Sequence, residues 1–323
     1  MYRTIYGPVP SRRLGISLGV DLIPYKICSF NCVYCECGKN TSLTIERKNY
    51  IPIEVVIEEV EDYFSKNLPP DYITISGSGE PTLHIKIGFL IEELKKRFNT
   101  KIAVLTNSSL LFLPEVRRDL YNADLISPSL DSATEKAFRK IDRPFHSLSL
   151  QKIIDGIALL NKEIKKISSE KKLWLEVFII EGINTDNKNI TAFKKAFSLI
   201  KPDKIQLNTL DRPGTEKWVK PASIKTLEYI KEKIGLPNVE IISKFKHRDE
   251  IKKYRHDIES TILETLERRP LTIEDLTKIL GIEQQEINKY LDILQNEKRI
   301  IAIIINKENK NQVFYQINRK NEY

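Results

Sequence analysis

The sequence has few cysteines and no long apolar stretch, and both features limit what the protein can be. Only four of its 323 residues are cysteine. No run of 18 apolar residues occurs, so the sequence does not predict a transmembrane helix. The first fifteen residues contain no apolar segment typical of a secretory signal, and a cytoplasmic location is therefore expected.

All four cysteines lie between positions 28 and 37. In so short a segment a disulfide would remove little loop entropy from the unfolded chain, and thiols of a cytosolic protein stay reduced. The clustering therefore predicts a metal site rather than a disulfide framework.

Positive charge is concentrated in the larger part of the chain. The first 255 residues contain 42 basic and 32 acidic residues, whereas residues 256–323 contain 10 basic and 12 acidic ones. A basic body can attract anionic partners such as RNA or phosphorylated metabolites. A lysine-rich surface that only serves solubility would have the same composition, so charge alone leaves both interpretations open.

Short apolar runs alternate with segments of helical spacing over residues 1–245. The predicted strands cover residues 14–24, 72–76, 102–106, 124–129, 174–180 and 204–209, and a last strand begins at 238. Helical spacing is present at residues 55–64, 87–98 and 190–200, and Ser132 with Glu135 predicts a capping box for a helix over 133–140. Strand and helix repeated six times predict an α/β fold with a parallel sheet, whose ligands bind beyond the carboxyl ends of the strands.

A separate compact unit is predicted at residues 259–323, after a basic connector at 246–258. Its helices are expected at 261–269, 273–280 and 283–298, with Thr272 and Gly281 capping the second. Two β-like runs, 299–305 and 312–317, flank a polar turn at 306–311. Three helices followed by a two-stranded wing predict a winged-helix domain.

Cys28, Cys32 and Cys35 are spaced as CxxxCxxC, and thiolates are the usual ligands of iron–sulfur clusters. Three ligands on a [4Fe–4S] cluster leave one iron open to bind another molecule. A zinc site that also uses Cys37 is the alternative, but structural zinc sites usually pair two separated knuckles and only one is present. Cys37 is expected to be a thiol near the cluster, with an additional ligand or a hydrogen donor as alternatives.

The cysteine spacing, with aromatic Tyr34 before the third cysteine, resembles the radical S-adenosylmethionine (SAM) superfamily. The turn at 76–81 is similar to the GGEP motif of that superfamily, and Ser78 replaces its first glycine. The resemblance implies a [4Fe–4S] cluster and SAM as cofactors. It also implies SAM contacts from Tyr34 and from polar or turn residues after the strands: Gly79, Glu80, Pro81, Asn107, Ser129, Asp131, Glu176 and Asn208, with Asn184 and residues 211–213 as further candidates.

Longer segments resemble one subgroup, the wyosine-synthase-like iron–sulfur oxidoreductases. They are GPVPSRRLGISLGVDLIPYKICSFNCVYC, SGSGEPTLH, SLDSATEKAFRKIDRP and LNTLDRP, and the resemblance covers residues 5–250. It implies a partial (β/α)6 TIM-like barrel over residues 1–245. Wyosine synthases act on a tRNA guanosine and carry a second cluster on upstream cysteines, and no cysteine precedes Cys28 in this sequence.

The resemblance implies that SAM is cleaved to methionine and a 5′-deoxyadenosyl radical that takes a hydrogen atom from a substrate. An external one-electron reductant, a ferredoxin or flavodoxin, is implied as a partner. The leading hypothesis for the substrate is an RNA, with tRNA first, because the body is basic and the connector places lysines and arginines around Phe245 and Tyr254. The alternatives are a small metabolite, peptide or protein substrate, and a cluster-containing transcription regulator without catalysis.

The last predicted helix bears on whether the winged helix binds DNA. It carries Glu283, Glu286, Asp292 and Glu297 against Lys289 and Lys298. Acidic side chains would oppose phosphate contact. Sequence-specific DNA binding is therefore not expected, and contact with a protein or a role as a structural cap is preferred for this unit.

Overall fold

The structure is a computed structural model, and it describes residues 2–11, 13–24, 26–210, 214–242, 258–281, 287, 290–291, 294–295, 297–307 and 310–319. The basic connector and residues 211–213 thus lie outside the described residues. Within the described part, no helix is both long and apolar enough to cross a membrane.

After four opening strands, strands and helices alternate up to residue 241, apart from two consecutive helices at 135–141 and 150–167. In chain order the strands are β1 (Ile5–Ser11), β2 (Gly15–Val20), β3 (Ile27–Cys28), β4 (Ser42–Leu43), β5 (Tyr72–Ile75), β6 (Lys101–Thr106), β7 (Leu125–Pro128), β8 (Lys172–Phe178), β9 (Lys204–Asn208) and β10 (Val239–Ile241). The helices are α1 (Ile53–Lys66), α2 (Ile87–Arg97), α3 (Pro114–Asp119), α4 (Glu135–Ile141), α5 (Leu150–Ile167), α6 (Asn187–Ile200) and α7 (Ile224–Ile234).

Eight strands form one open sheet in the order β1-β2-β5-β6-β7-β8-β9-β10. From β2 onward all neighbouring strands are parallel, which confirms the predicted parallel α/β sheet. The edge strand β1 is antiparallel to β2 and was not predicted. Its Pro8 and Pro10 are typical of loops, but an edge strand tolerates proline because one side of it needs no hydrogen bond.

The two faces of the sheet differ in polarity because side chains alternate along each strand. Leu18, Ile73 and Leu175 are fully buried on the face that the helices cover. On the inner face, Ser17 and Thr74 join their hydroxyl oxygens at 2.6 Å. The base of the inner face is filled by a small apolar cluster of Leu14, Ala103 and Leu125, packed against Tyr72 and Trp174. The polar inner side chains therefore lie toward the carboxyl ends of the strands.

Two predicted boundaries are wrong, each for a local reason. The first predicted strand ends at Val20 rather than 24, because the Asp21 carboxylate accepts the Ile23 N–H and bends the chain. The helix after β7 begins at Glu135 with Thr134 as its N-cap, not Ser132. The Ser132 hydroxyl instead donates to Asp142 Oδ2 at 3.2 Å.

The described residues from Ile258 onward form a second unit with its own apolar core. It contains α8 (Ile258–Arg268), α9 (Ile273–Leu280), helical residues among 287–295, β11 (Ile300–Lys307) and β12 (Lys310–Ile317). Thr272 forms a capping box with Asp275 and Gly281 has a φ of 64°, so both predicted caps are confirmed. The turn of the hairpin is shorter than predicted because β11 and β12 pair from Ile300–Ile317 to Lys307–Lys310.

Candidate active site at the carboxyl ends of the strands

The cysteine loop follows β2, as predicted, and is held on both sides. Cys28 lies in β3, which pairs with β4. The Val33 N–H donates to the Ile141 carbonyl of α4 at 2.9 Å, and the Val33 side chain is fully buried. Backbone pairing and a buried anchor thus fix a loop whose four cysteines are all half-buried.

Cys35 has the most electropositive surroundings of this loop. The buried Lys26 ammonium donates to Cys35 Sγ at 3.0 Å. A hydrogen bond from Cys37 first, and then the Lys26 charge, lower the pKa of Cys35 to about 5. The pKa of Lys26, which burial would lower, is raised by the Cys35 thiolate. This pairing favours the thiolate, which is the form that binds metal.

Cys28 and Cys32 lie in more apolar surroundings. Burial raises the pKa of Cys28 to about 12, and its sulfur accepts a hydrogen bond from Asn107 Nδ2 at 3.4 Å. Burial, and then the Asp142 carboxyl, raise the pKa of Cys32 well above its usual value. Within the described residues, no three His, Cys, Asp or Glu side chains are placed to hold a metal ion.

The residues present fit a [4Fe–4S] cluster. Three thiols on one anchored loop supply the soft sulfur ligands that iron–sulfur clusters use. The Cys37 sulfur also lies 3.2 Å from the Arg268 carbonyl, a hydrogen-bond acceptor outside the motif. Cys28, Cys32 and Cys35 are thus the candidate ligands, and Cys37 contacts the second unit as well as Cys35.

The turn at 76–81 lies directly against the cysteine loop. The Glu80 N–H donates to the Ile27 carbonyl at 3.3 Å. A Cβ added at Gly79 would lie 2.2 Å from that same carbonyl, so only glycine permits this approach beside Cys28. The close approach of the Ile27 carbonyl thus explains why the motif has glycine at position 79.

Glu80 joins the ends of two strands through its buried carboxylate. Oε1 accepts the hydroxyls of Thr82 and Thr106, both at 2.6 Å, and Oε2 accepts the Asn107 N–H at 2.7 Å. Burial raises the pKa of Glu80, although these hydrogen bonds oppose the shift. Both oxygens are therefore used within the protein, where they place Asn107 next to Cys28.

The carboxylate of Asp131, which follows β7, also accepts hydrogen bonds from the protein, as that of Glu80 does. Its carboxylate accepts the Tyr34 hydroxyl and, at 2.8 Å, the Phe178 N–H. The Tyr34 ring stacks on Phe178 with centroids 3.9 Å apart. Burial raises the pKa of Asp131 to about 7. The neighbouring Ser129 donates its N–H to the Thr106 carbonyl, which brings the ends of β6 and β7 together.

Glu176 and Asn208 meet on the inner face of the sheet. Asn208 Nδ2 donates to Glu176 Oε1 at 2.8 Å, and Arg13 donates to Glu176 Oε2 at the same distance. Arg13 comes from the turn between β1 and β2, and sequence reasoning did not indicate it. A single arginine outside any motif gives no sequence signal of such a contact.

The structure thus brings the predicted residues of β2 and β5–β9 to one edge of the sheet. Asn184 is buried, and its side chain binds the backbone at Asp131, Phe178 and Ile180, which is a loop-forming role. Lys26 was not predicted either, although a lysine two residues before Cys28 in an apolar segment was a visible signal.

The second unit contacts this edge through Arg268 at the end of α8. The Arg268 guanidinium forms an ion pair with Asp21, lies 3.5 Å from Ser78 Oγ and stacks over Tyr6 at 4.8 Å. Asp21 also accepts the Ser78 N–H at 3.0 Å. One residue therefore connects the second unit both to the 76–81 turn and, through its carbonyl, to Cys37.

A sequence model of the Radical SAM superfamily matches residues 22–193. UPF0026 protein MJ1312 of Methanocaldococcus jannaschii is 36% identical over 98% of this chain and 96% of its own length. An S-adenosyl-L-methionine-dependent tRNA 4-demethylwyosine synthase of Oryza sativa subsp. japonica is 21% identical, over 61% of this chain and 31% of that protein. In fold, the chain is similar to Streptococcus suis SuiB bound to S-adenosylmethionine, with a TM-score of 0.51, 15% identity, and coverage of 71% of this chain and 51% of that one.

Proposed function

The chain belongs to the radical SAM superfamily, and on that premise we propose that Cys28, Cys32 and Cys35 hold its [4Fe–4S] cluster and that an RNA nucleotide is its substrate. Enzymes of this superfamily use the cluster and an external electron to cleave SAM reductively. The chain's own residues would hold the cluster, orient SAM and exclude water from the site. A cytoplasmic location agrees with free thiols and a reduced cluster.

The observation that carries the proposal is the anchored loop with three motif thiols beside Lys26. Lys26 and the Cys37 thiol both favour a negative Cys35 sulfur, and Asn107 donates to Cys28. Hydrogen bonds to ligand sulfurs are one of the means by which proteins adjust iron–sulfur clusters. Cys37, whose one thiol proton is shared between the Cys35 sulfur and the Arg268 carbonyl, is proposed to adjust Cys35 and not to bind iron.

For SAM, we assign two kinds of role to the predicted residues. The backbone of Gly79, Glu80 and Pro81 would accept the ammonium group, and Tyr34, Asn107 and Ser129 would contact the rest of the molecule. The Glu80 and Asp131 carboxylates would position Asn107 and Tyr34, because their oxygens already accept protein donors. Glu176 and Asn208 would face the adenosine or the substrate from the inner face.

The substrate assignment rests on the polar inner face, on charge and on one class of relative. Ser127 Oγ and Gln206 Oε1 are buried and have no hydrogen-bond partner among the described residues. Neither atom reaches an open surface, so they bear on the polarity of the inner face and not on a ligand contact. Single-stranded RNA can present an unstacked base to a polar site of this kind. A distant relative is named a tRNA 4-demethylwyosine synthase, and the first 255 residues carry the basic excess.

For the second unit we propose a winged-helix domain that contacts the barrel and a protein rather than DNA. The backbone pairing of Leu271 with Tyr315, at 3.0 and 2.7 Å, is an isolated β-bridge that joins the segment before α9 to the hairpin, which agrees with a wing. Its acidic excess opposes binding to phosphates. Deletion of the unit would therefore leave DNA affinity unchanged but would expose the Asp21 side of the site.

The RNA assignment is tested by reconstituting the cluster anaerobically and incubating the protein with SAM, dithionite and unmodified tRNA. Mass spectrometry of the digested nucleosides should find a new modified nucleoside with the wild type and none with Cys32→Ala. SAM cleavage without any change in the tRNA, together with no tRNA binding at moderate salt, would contradict the RNA assignment. A metabolite, peptide or protein would then be the substrate to seek.

A further inference from the structure

An open cavity of about 680 Å³ reaches the cysteine loop from outside the barrel. Cys35 and Lys39 of the loop form one wall, and Lys217, Val219 and Lys220 form the second. The third wall is the C-terminal hairpin, which contributes Ile304. Two units of the chain thus build one recess that ends at a motif cysteine.

This recess is distinct from the site assigned to SAM. Of the residues proposed to contact or position SAM at the strand ends, none lines it. The recess therefore reaches Cys35 through residues other than those assigned to SAM. A substrate must approach SAM, whereas an electron donor need only approach the cluster. The geometry favours the electron donor as the occupant of this side.

The rim of the recess is basic. Lys39, Lys217 and Lys220 are exposed, and none of the three forms a salt bridge with a residue that the structure describes. Of the two acidic residues that line the recess, Glu216 is paired with Arg143 at 2.6 Å. The positive potential at the mouth is therefore only partly compensated, and it would attract a negatively charged surface.

Exposed apolar groups accompany these lysines. The hairpin residue Ile304, which lines the recess, is 67% exposed, and Trp218, which follows Lys217 in the chain but does not line the recess, is 45% exposed. Aromatic and apolar groups at the centre with charged groups around them are typical of protein interfaces. A macromolecule of acidic surface fits this combination better than a free anion does.

We propose that this surface docks the one-electron reductant, a small acidic carrier protein of the flavodoxin or ferredoxin type. The inference rests on the proposed function, since it requires Cys35 to hold the cluster. One electron passes from the reduced carrier to the oxidised cluster, the carrier is oxidised by one electron, and no covalent bond changes. Because electron transfer slows steeply with distance, the recess at Cys35 gives a short route.

The test compares two electron sources with the full-length, reconstituted protein. The variant K217E/K220E reverses the charge of the mouth, and K188E/K195E makes the same change on the exposed face of α6. With reduced flavodoxin, K217E/K220E should raise the apparent KM for flavodoxin about tenfold at low ionic strength. With dithionite, 5′-deoxyadenosine should form at the wild-type rate in both variants.

Binding provides a readout that is independent of turnover. Calorimetric titration of oxidised flavodoxin into each protein should give a Kd about tenfold weaker for K217E/K220E only, and the difference should shrink at high salt. Equal flavodoxin affinity in all three proteins would overturn the proposed docking surface. A K217E/K220E variant that loses tRNA affinity and keeps flavodoxin affinity would also overturn it. Failure of the wild type with dithionite would instead contradict the proposed function itself.

Discussion

The ion pair between Arg268 and Asp21 is expected to hold the second unit against the active site. Its side chains are 20% and 6% exposed, so most of the pair is removed from water. Breaking a buried pair by removing one partner costs about 3–5 kcal/mol. In Arg268→Met, however, Asp21 keeps the Ile23 N–H and both Ser78 donors. We therefore expect the free energy of unfolding to fall by about 2–3 kcal/mol, less than for a pair with no other donors.

A double-mutant cycle isolates the pair from other effects of the substitution. Arg268→Met, Asp21→Asn and the combined variant would be unfolded in urea and followed by circular dichroism, all without cluster. The coupling energy should be about 2 kcal/mol, because the two residues are in direct contact. Arg299→Met is the matched control, since the side chains of Arg299 and Glu259 are more than 40% exposed and such pairs contribute about 0–1 kcal/mol.

The outcome also bears on SAM, because Asp21 binds the Ser78 backbone beside Gly79. Arg268→Met should weaken SAM binding in calorimetry, whereas Arg299→Met should not. A coupling energy below about 0.5 kcal/mol would contradict a stabilising ion pair between Arg268 and Asp21. The contact between the units would then be too weak to position the turn.

Three further predictions concern the site itself. Cys37→Ala should keep about four irons per chain after reconstitution, whereas Cys35→Ala should lose the cluster, as iron and sulfide analysis will show. Gly79→Ala should abolish SAM binding because its Cβ would lie 2.2 Å from the Ile27 carbonyl. Gly182→Ala is the control, because no atom lies within 4 Å of its new Cβ although φ at this position is 72°. It should lower the free energy of unfolding by only about 1 kcal/mol and leave SAM affinity unchanged. Burial raises the pKa of Asp131 to about 7, so below that pH the native state holds more protons than the unfolded chain. The free energy of unfolding should therefore fall as the pH rises from about 4 to 7. The fall should be smaller in Asp131→Asn, which has no carboxyl group to titrate. A pH profile of the same slope in both proteins would contradict this assignment.

Much of the barrel could be predicted because its buried apolar residues recur at every second position of the strands, as side chains alternate between the two faces of a sheet. Leu18, Ile73 and Leu175 face the helices, and the polar residues that follow their strands meet at one edge, as parallel strands require. The cysteine spacing and the caps at Thr272 and Gly281 are equally local signals. Each depends on residues a few positions apart, which sequence patterns can show.

The features that could not be predicted are of two kinds. Some depend on contacts between residues far apart in the sequence, and others depend on which of two nearby hydrogen-bond partners a side chain takes. Ser132 could have capped the next helix, but the carboxyl of Asp142 competes for its hydroxyl and Thr134 is the cap. Arg13 meets Glu176 across the inner face, and Arg268 meets Asp21 from the other unit. No periodicity links such pairs. The recess at Cys35 likewise exists only where the hairpin lies beside residues 214–221.

The most direct test of the account is the formation of 5′-deoxyadenosine under strictly anaerobic conditions. The reconstituted wild type and Cys32→Ala would each receive SAM and dithionite, and the product would be quantified by chromatography. Product is expected with the wild type and not with Cys32→Ala, whose cluster site has lost one of its three proposed ligands. Equal product from both proteins, or a wild type with an intact cluster that neither binds nor cleaves SAM, would contradict the assignment of this chemistry to the cysteine loop.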